Sequence, residues 1–436
     1  MKIKHFIFFI ALWLSCTNIF AQELLTLQEA VAIALKNNYD IKLIKNDAVI
    51  AQNNSNLSNA GILPVAVGNF STGGSRQNTV QTQASGVERV TDGARSTNMN
   101  YGVGLDWTVF DGFRMFATLE RLKTLEQQGQ VNSKAQILTT ISDVVATYYN
   151  VVKQQKLVLA YDSAIDVSAL RLKIANNKLE IGRGSKLDVL SAKVDYNTDT
   201  SAYLQEKNLM ATYMVSLNQL MARDVTLKFS VPDEISIDNK LDFTTLAGQM
   251  QLLNPDLRNA MLNKKIADLN LKEIKGDRYP RIALNSGYEF SRSTSPTGFN
   301  TQFRANGLTY GVTASVNIFN GFLQRQNERN AKVLINSSQL SLEKVKQDLN
   351  AQLTTAYQNY ITFLDLVELE DRNVDIAKQN LDITLEKYRL GSIAPLELRE
   401  AQRNAIDASN RYVEIKYQAK LAEVTLKEIS GTLNVQ

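Results

Sequence analysis

Apolar residues recur at every seventh position through two long stretches of the chain. The first series comprises Ile137, Val144, Val151, Val158, Ile165, Leu172 and Leu179. The positions 209 residues later hold Lys346, Leu353, Tyr360, Val367, Val374, Leu381 and Tyr388, of which six are apolar or aromatic. A sustained seven-residue repeat is typical of a coiled coil. The pattern predicts two long helices that pack against neighbours, because a helix with one narrow apolar stripe is not stable alone.

Before each long helix the pattern changes to strict alternation. Apolar and polar residues alternate from Tyr101 to Val109, and again from Tyr310 to Ile318. The predicted strands lie at about 64–72, 100–110, 280–291 and 308–319, with polar loops over 73–97 and 293–306 between partners. A period of two with one apolar and one polar face is typical of a membrane barrel that has lipid outside and water inside.

The two halves of the chain repeat each other. The segment at Tyr101 recurs 209 positions later at Tyr310, whereas Asn38 corresponds to Asn254, 216 positions later. The change of offset falls in the first predicted hairpin loop, where insertions are tolerated. A duplicated chain builds one pseudo-symmetric object rather than two unrelated domains. The predicted organisation is a signal peptide over 1–21, repeats over 22–224 and 244–436, and a linker over 225–243.

Each long helix is predicted to end at a glycine and to turn back on itself. Gly182 and Gly391 are the helix stops, while Ser185 and Pro395 are suited to start the return helices. Near the start of the chain, Thr26 and Glu29 have the spacing of a capping box. The sequence therefore predicts one helical hairpin and one short amphipathic helix in each repeat.

The N-terminus and the composition limit the possible chemistry. Residues 1–21 have the charged start and short apolar run of a signal peptide, and they contain Cys16 and His5, the only cysteine and the only histidine. A mature chain without either residue type has no disulfide, no Cys/His zinc site and no Ser-His-Asp or cysteine nucleophile. The alternative processing is a lipidated Cys16. The formal charge is +4, and the sequence has no run of basic residues, so nothing indicates nucleic-acid binding.

Four strands are too few for a closed barrel. Outer-membrane barrels have at least about eight strands, because an open edge in lipid leaves backbone groups unpaired. The chain must therefore complete its barrel with further copies of itself. Strand counting alone leaves the number of copies open.

The sequence resembles the TolC family of outer-membrane efflux and secretion channels over nearly all of the mature chain. The motifs that carry the resemblance are Leu27-Gln28-Glu29-Ala30, Asn38-Tyr39-Asp40, Asn254-Pro255-Asp256-Leu257, Phe110-Asp111-Gly112, Phe319-Asn320-Gly321, Ile181-Gly182 with Leu187-Asp188-Val189-Leu190, and Leu390-Gly391 with Leu396-Glu397-Leu398. The resemblance implies an α+β membrane protein, with a long α-helical coiled-coil barrel and four strands per protomer in a 12-stranded transmembrane β-barrel. It further implies a homotrimer without cofactor or metal, embedded in outer-membrane lipid. Such a channel is a passive conduit that works with a periplasmic adaptor and an inner-membrane pump.

The resemblance also suggests functional residues at the helical hairpins. It places adaptor docking at Ile181, Gly182, Arg183, Leu390, Gly391 and Ser392, and the tip gate at Asp188, Glu397, Glu400 and Tyr388. An arginine expected five residues after the tyrosine is Ile393 here. Asp188 and Glu397 have an alternative role as ordinary acids of a first helical turn. Around an axis, one acid becomes a ring of charge that favours cations.

Two other classes of protein are compatible with parts of the pattern. An enzyme would have to rely on carboxylates, Ser/Lys pairs or oxygen-ligated metal, and no local group of residues suggests one. A trimeric surface adhesin with a coiled-coil stalk normally has one barrel anchor at one end, whereas here strand pairs precede both long helices. Within the channel class, drugs, metal ions and proteins all remain open as cargo, because the pump chooses it.

Overall fold

The computed structural model describes residues 23–298 and 300–434. The predicted signal peptide over 1–21, with His5 and Cys16, lies outside the described residues. The chain divides into two compact units. The first combines the segment up to Ile44 with Ser133–Pro255 and everything from Lys346, and the second combines Lys45–Asn132 with Asp256–Val345. Among the described helices, none has a stretch long and apolar enough to cross a membrane.

The helices come in matching pairs. They are α1 (Leu27–Asn37), α2 (Tyr39–Asn54), α3 (Arg114–Glu180), α4 (Lys186–Leu220), α5 (Phe243–Leu253), α6 (Pro255–Gly276), α7 (Leu323–Arg389) and α8 (Pro395–Ile429). Helices α3 and α7 both have 67 residues, and α4 and α8 both have 35. The helices predicted from the seven-residue repeat are therefore present, and the copies have equal length.

Local sequence explains where the short helices begin. The Thr26 backbone N–H donates to the Glu29 carboxylate at 2.9 Å, and the Thr26 hydroxyl accepts from the Glu29 N–H at 3.3 Å. This is the predicted capping box. Pro255 opens α6, where its missing N–H would have had no helical partner. Asp242 caps α5, accepting from the Thr245 N–H at 2.8 Å.

Six strands form two sheets in the described part of the chain. They are β1 (Glu23–Leu24), β2 (Val65–Thr82), β3 (Glu88–Asp111), β4 (Phe229–Ser230), β5 (Arg281–Thr294) and β6 (Gln302–Ser315). The short strands β1 and β4 pair in parallel. The others form an antiparallel sheet in the order β2-β3-β5-β6, so β2 and β6 are its edges.

Two strand predictions were wrong. The predicted loop over 73–97 is mostly strand, because backbone pairing continues where both faces of the sheet are polar and the alternation disappears. The last strand was predicted at about 308–319, whereas β6 runs from Gln302 to Ser315 and so begins inside the predicted loop over 293–306. Ser315 pairs with Arg281, the first residue of β5, so the residues after Ser315 have no opposite strand within the chain.

The duplication extends to strand register. Val65 faces Asp106 in the first hairpin, and Arg281 faces Ser315 in the second. These pairs are equivalent under the two offsets, 216 for β2 and β5 and 209 for β3 and β6. Both hairpins therefore have the same register, although they differ in length.

The segment between the repeats is packed into the core of the first unit. Phe229 and Ile235 are buried beside Val31 of α1 and Val144 of α3. The Tyr148 hydroxyl donates to the Leu25 carbonyl at 3.0 Å, and burial raises the pKa of this tyrosine. The segment 225–243, expected as a linker, thus contributes Phe229, Val231 and Ile235 to this core.

Candidate functional site at the helical hairpins

The first hairpin, between α3 and α4, depends on two glycines. Gly182 has φ +71°, and its N–H donates to the Leu179 carbonyl at 3.0 Å while the Arg183 N–H donates to the Lys178 carbonyl at 2.8 Å. This is the bonding pattern of a Schellman helix end. A Cβ atom on Gly184 would lie only 2.9 Å from the Lys178 Cβ. With this backbone, a side chain at position 184 would crowd the last turn of α3.

The second hairpin, between α7 and α8, has the same turn but different flanking residues. Gly391 has φ +77°, and the Ser392 N–H and hydroxyl both donate to the Lys387 carbonyl, at 3.0 and 2.9 Å. The position equivalent to Gly184 holds Ile393, which is half-buried. The two hairpins are therefore alike in backbone and unlike in surface.

Apolar side chains are exposed at equivalent places on both hairpins. Ile181 and Leu187 flank the first turn and Leu390 and Leu396 flank the second, and all four are exposed. Large exposed apolar groups arranged in this way mark contact surfaces. Four of the predicted docking residues, Gly182, Arg183, Gly391 and Ser392, lie between them, and all four are exposed.

The two acids in the first turns act as helix caps in this structure. Asp188 accepts hydrogen bonds from the Ser185 hydroxyl at 2.8 Å and the Ser185 N–H at 3.2 Å. These bonds hold the pKa of Asp188 below its ordinary value. Glu397 accepts from the Ala394 N–H at 3.3 Å. Both carboxylates are exposed, so capping leaves them accessible.

Glu400 lies one turn further along α8 and has a basic neighbour. Its carboxylate accepts from the Arg403 guanidinium at 2.9 Å, and both side chains are about half exposed. The charge of Glu400 is therefore partly compensated within its own helix.

Tyr388, the last predicted gate residue, is buried against the neighbouring hairpin. Its ring lies 4.9 Å from the ammonium of Lys178 on α3, within cation–π range. Burial raises the pKa of its hydroxyl, and Arg171 opposes that shift. The Tyr388 side chain thus extends from α7 and contacts α3.

Sequence reasoning missed a buried polar cluster beneath the hairpins. We call it the latch cluster, and its members are Ser168, Arg171, Asp195, Asp199, Arg399 and Gln402. Arg399 lies 2.8 Å from Asp199 and 3.5 Å from Asp195. Gln402 donates to Asp199 at 3.0 Å and to the Ala164 carbonyl at 2.8 Å. The cluster ties α8 of one hairpin to α3 and α4 of the other.

The contacts within the cluster resemble those of a buried salt-bridge network. Ser168 also donates to Asp199, and Arg171 pairs with Asp195. The i, i+4 spacing of the two aspartates was visible in the sequence. Arg399, which contacts both aspartates, lies 200 positions after Asp199, and no local pattern indicates that pairing.

The four-stranded sheet, with one strand pair before each long helical hairpin, is the fold of known outer-membrane channels. Solved structures share this fold. The Campylobacter jejuni CmeC outer membrane channel has a TM-score of 0.78 at 19% identity, covering 93% of this chain and 85% of that one. The outer-membrane channel OprN has a TM-score of 0.78 at 18% identity, covering 93% and 90%.

Sequence comparison identifies the family. The chain matches the outer membrane efflux protein family over residues 30–223 and 246–432, and it belongs to that family. The outer membrane efflux protein BepC of Brucella suis is 19% identical, covering 94% of this chain and 86% of BepC. The alkaline protease secretion protein AprF of Pseudomonas aeruginosa is 21% identical, covering 96% and 89%. The chain is an outer-membrane channel of efflux or secretion, which confirms the TolC-family resemblance.

Proposed function

We propose that three copies of this chain form a passive conduit. A 12-stranded barrel lies in the outer membrane, the long helices line a periplasmic tunnel, and an adaptor connects the tunnel to an energised inner-membrane pump. The observation that carries the proposal is a four-stranded sheet with free edges at β2 and β6. Free edges in lipid leave backbone groups unpaired, so neighbouring copies must cover them. The number three is the one that the resemblance to the TolC family implies, and with four strands per copy it gives the 12 strands of the proposed barrel.

The register of the seam between copies follows from the duplication. Within one chain, Trp107 of β3 pairs with Leu284 of β5, and Val103 pairs with Tyr288. The offset of 209 takes β3 to β6, and the offset of 216 takes β5 back to β2. Applied to these two pairs, the offsets place Val316 opposite Gly68 of the next copy and Val312 opposite Thr72 of the next copy. Residues 316–319 then gain the partner strand that a single chain does not provide.

Helix surfaces beside the sheet support the same seam. Within one chain, α3 and α6 meet through polar contacts, such as Arg121 with Glu273 at 2.8 Å. The equivalent surfaces on α7 and α2 are apolar and exposed, with Leu43, Val49, Ile50, Val333, Leu334 and Leu340. Exposed apolar surface of this extent favours association. We therefore place α7 of one copy against α2 of the next.

At the narrow end, Asp188, Glu397 and Glu400 form rings of negative charge around the pore. Tyr388 and the latch cluster hold the two hairpins of each chain together and keep the tip closed. The missing arginine at Ile393 has a functional replacement in Arg399, which reaches the adjacent hairpin through Asp199. Separation of the hairpins opens the pore.

The adaptor docks on the hairpin turns, at Ile181, Gly182, Arg183, Leu390, Gly391 and Ser392. Exposed Leu187 and Leu396 extend this surface by one helical turn. Two unlike hairpins per copy offer two different grooves. The conduit has no catalytic role, and the pump determines the cargo.

Cysteine cross-linking tests the assembly directly, because the only cysteine lies at position 16. The pair Val312→Cys with Thr72→Cys is expected to give covalent dimers and trimers in isolated membranes, and no larger species. Ser71→Cys with Val312→Cys is the matched control, since a one-residue slip places the second thiol on the other face of the sheet. A monomeric protein that forms no cross-link with any pair would refute the trimer. A stable trimer without conductance in planar bilayers would favour the adhesin instead.

A further inference from the structure

Each strand hairpin places two arginines directly opposite each other. Arg76 of β2 faces Arg95 of β3, and Arg292 of β5 faces Arg304 of β6. Arg292 lies 216 positions after Arg76, and Arg304 lies 209 positions after Arg95, so the two pairs are equivalent in the two repeats. All four side chains are exposed, and no carboxylate among the described residues forms an ion pair with any of them. Like charges directly opposite on a sheet destabilise it, so the arrangement calls for an anion.

The four arginines share the apolar face of the sheet. Tyr101 stacks on Phe290 with ring centroids 4.9 Å apart, and strand alternation puts Arg95 and Arg292 on the same face as these rings. Asp106 and Glu289, in the middle of the sheet, lie on the opposite face. Asp106 accepts from Asn285 there. These two acids therefore lie on the far side of the sheet from the paired arginines.

The height of the arginines fits the edge of a membrane. Ile282 and Arg292 are ten residues apart on β5, about 33 Å along the strand and about 25 Å along the membrane normal at the usual barrel tilt. That span equals the apolar band of an outer-membrane barrel. The arginines lie towards the hairpin turns, whereas the other end of β3 leads through Gly112 into α3. With α3 in the periplasm, they are at the outer-leaflet boundary.

We propose that Arg76, Arg95, Arg292 and Arg304 bind the phosphate groups of anionic lipid headgroups in the outer leaflet. The guanidinium fork matches phosphate geometry, and one phosphate between two facing arginines converts their repulsion into attraction. The orientation and the leaflet rest on the proposed channel function, and the phosphate chemistry rests on the sheet alone. In three copies, the six hairpins place twelve such arginines at one height.

The first hairpin keeps room for this arrangement. A Cβ atom on Gly93 would lie 3.1 Å from the Arg76 Nε, so the guanidinium rests over a bare backbone. Gly93 also has φ +63°, which other residues rarely adopt. The Arg76 guanidinium therefore lies close to the backbone of β3, the strand that also carries Arg95.

The test uses the purified full-length protein in detergent, titrated with phosphorylated lipid A, with the same lipid after removal of its phosphates, and with inorganic phosphate. Native mass spectrometry counts the bound lipid, and the thermal midpoint reports stabilisation. Wild type is expected to bind the phosphorylated lipid about tenfold more tightly than the dephosphorylated one. Replacement of all four arginines by glutamine removes this preference, and replacement by lysine keeps part of it. Inorganic phosphate gives no stabilisation, because it lacks the acyl chains that the apolar face holds.

Arg329→Gln on α7 is the matched control, an exposed arginine outside the sheet, and leaves lipid binding unchanged. If the fourfold variant does not fold, the pairs Arg76→Gln/Arg95→Gln and Arg292→Gln/Arg304→Gln are measured separately, each reducing the preference about threefold. Equal binding of both lipids by wild type, or an unchanged preference in the folded variants, overturns the proposal. Conductance in planar bilayers is recorded in parallel, so that a failed lipid site is distinguished from a failed channel.

Discussion

Arg399 on α8 lies 2.8 Å from Asp199 on α4, and this ion pair joins the two helical hairpins of one chain. The aspartate is almost completely buried, and the arginine is about four-fifths buried. Gln402 and Ser168 complete the hydrogen bonding of the carboxylate. A fully bonded carboxylate of this kind is sensitive to the loss of its cation.

Removal of that cation is expected to open the tip. Arg399→Ala leaves the Asp199 charge buried without a partner, at a cost of about 3 kcal/mol to the closed arrangement. We expect a higher single-channel conductance in planar bilayers, and greater sensitivity of cells to large antibiotics. Arg372→Ala is the control, because Arg372 pairs with Glu368 at a site where both side chains are exposed and its loss costs under about 1 kcal/mol. Equal conductance of Arg399→Ala and wild type would show that the latch cluster does not hold the gate.

Removal of the Glu400 charge and removal of the Arg403 charge are expected to change ion selectivity in opposite directions. Glu400→Ala removes negative charge from the aperture and lowers the preference for cations, whereas Arg403→Ala frees the Glu400 charge and raises it. The changes are on the order of twofold, since an exposed charge contributes less than about 1 kcal/mol in water. Reversal potentials in a KCl gradient measure them. Unchanged selectivity after neutralisation of Glu400, Asp188 and Glu397 together would refute the aperture assignment.

A side chain at Gly184 is expected to strain the first hairpin turn. Gly184→Ala puts a methyl group against Lys178 and Leu179, so the turn must open, at a cost of about 1–3 kcal/mol. Gly248→Ala is the comparison, because its Cβ would meet nothing within 4 Å and α5 gains helix propensity of up to about 1 kcal/mol. The thermal midpoint of the folded protein in detergent is expected to fall for the first variant and rise for the second. A fall in both would mean that the contact at Lys178 is not the cause.

A fall in pH is expected to lower the folding stability of the unit that contains the sheet, because Glu328 becomes protonated. Burial acts to raise the pKa of Glu328, but hydrogen bonds from Arg278, one at 2.6 Å, and from Gln324 outweigh it and lower the pKa overall. A lowered pKa contributes stability above the unfolded value of about 4.3, and this contribution is lost as the pH falls through the folded value. Glu328→Gln should therefore be less stable than wild type at pH 7, by about 1 kcal/mol, and should show a flatter decline below pH 4.5.

Denaturation in detergent across this pH range gives the comparison. Glu386→Gln is the control, since its pair with Arg389 is exposed on both sides and contributes little. If Glu328→Gln follows the wild-type slope below pH 4.5, the Arg278 pair does not govern acid stability.

The sequence predicted the long helices and both hairpin turns because each depends on local rules. The period of seven predicted the positions of buried residues in both long helices, such as Val144, Val151 and Tyr360. Gly182 and Gly391 have the positive φ of a helix-ending turn. Strand limits were less predictable. Thr82 and Glu88 continue the sheet with polar residues on both faces, so periodicity gave no indication of them.

The candidate site was only partly predictable for a similar reason. Asp188 and Glu397 were found from their place in the first helical turn, and the structure adds their capping bonds. Arg399 and Asp199 were missed, because their pairing depends on which helices face each other. That arrangement is set by tertiary packing across both repeats.

The unpaired segment after Ser315 has a consequence for the time course of biogenesis. A newly exported chain can form its helices and two strand hairpins by itself, but residues 316–319 gain a partner only when another molecule arrives. The last step of folding is then bimolecular, and its rate rises with the concentration of chains in the periplasm. Until that encounter, the exposed backbone distinguishes an unassembled chain from a finished one, and a chaperone or a protease can act on that difference.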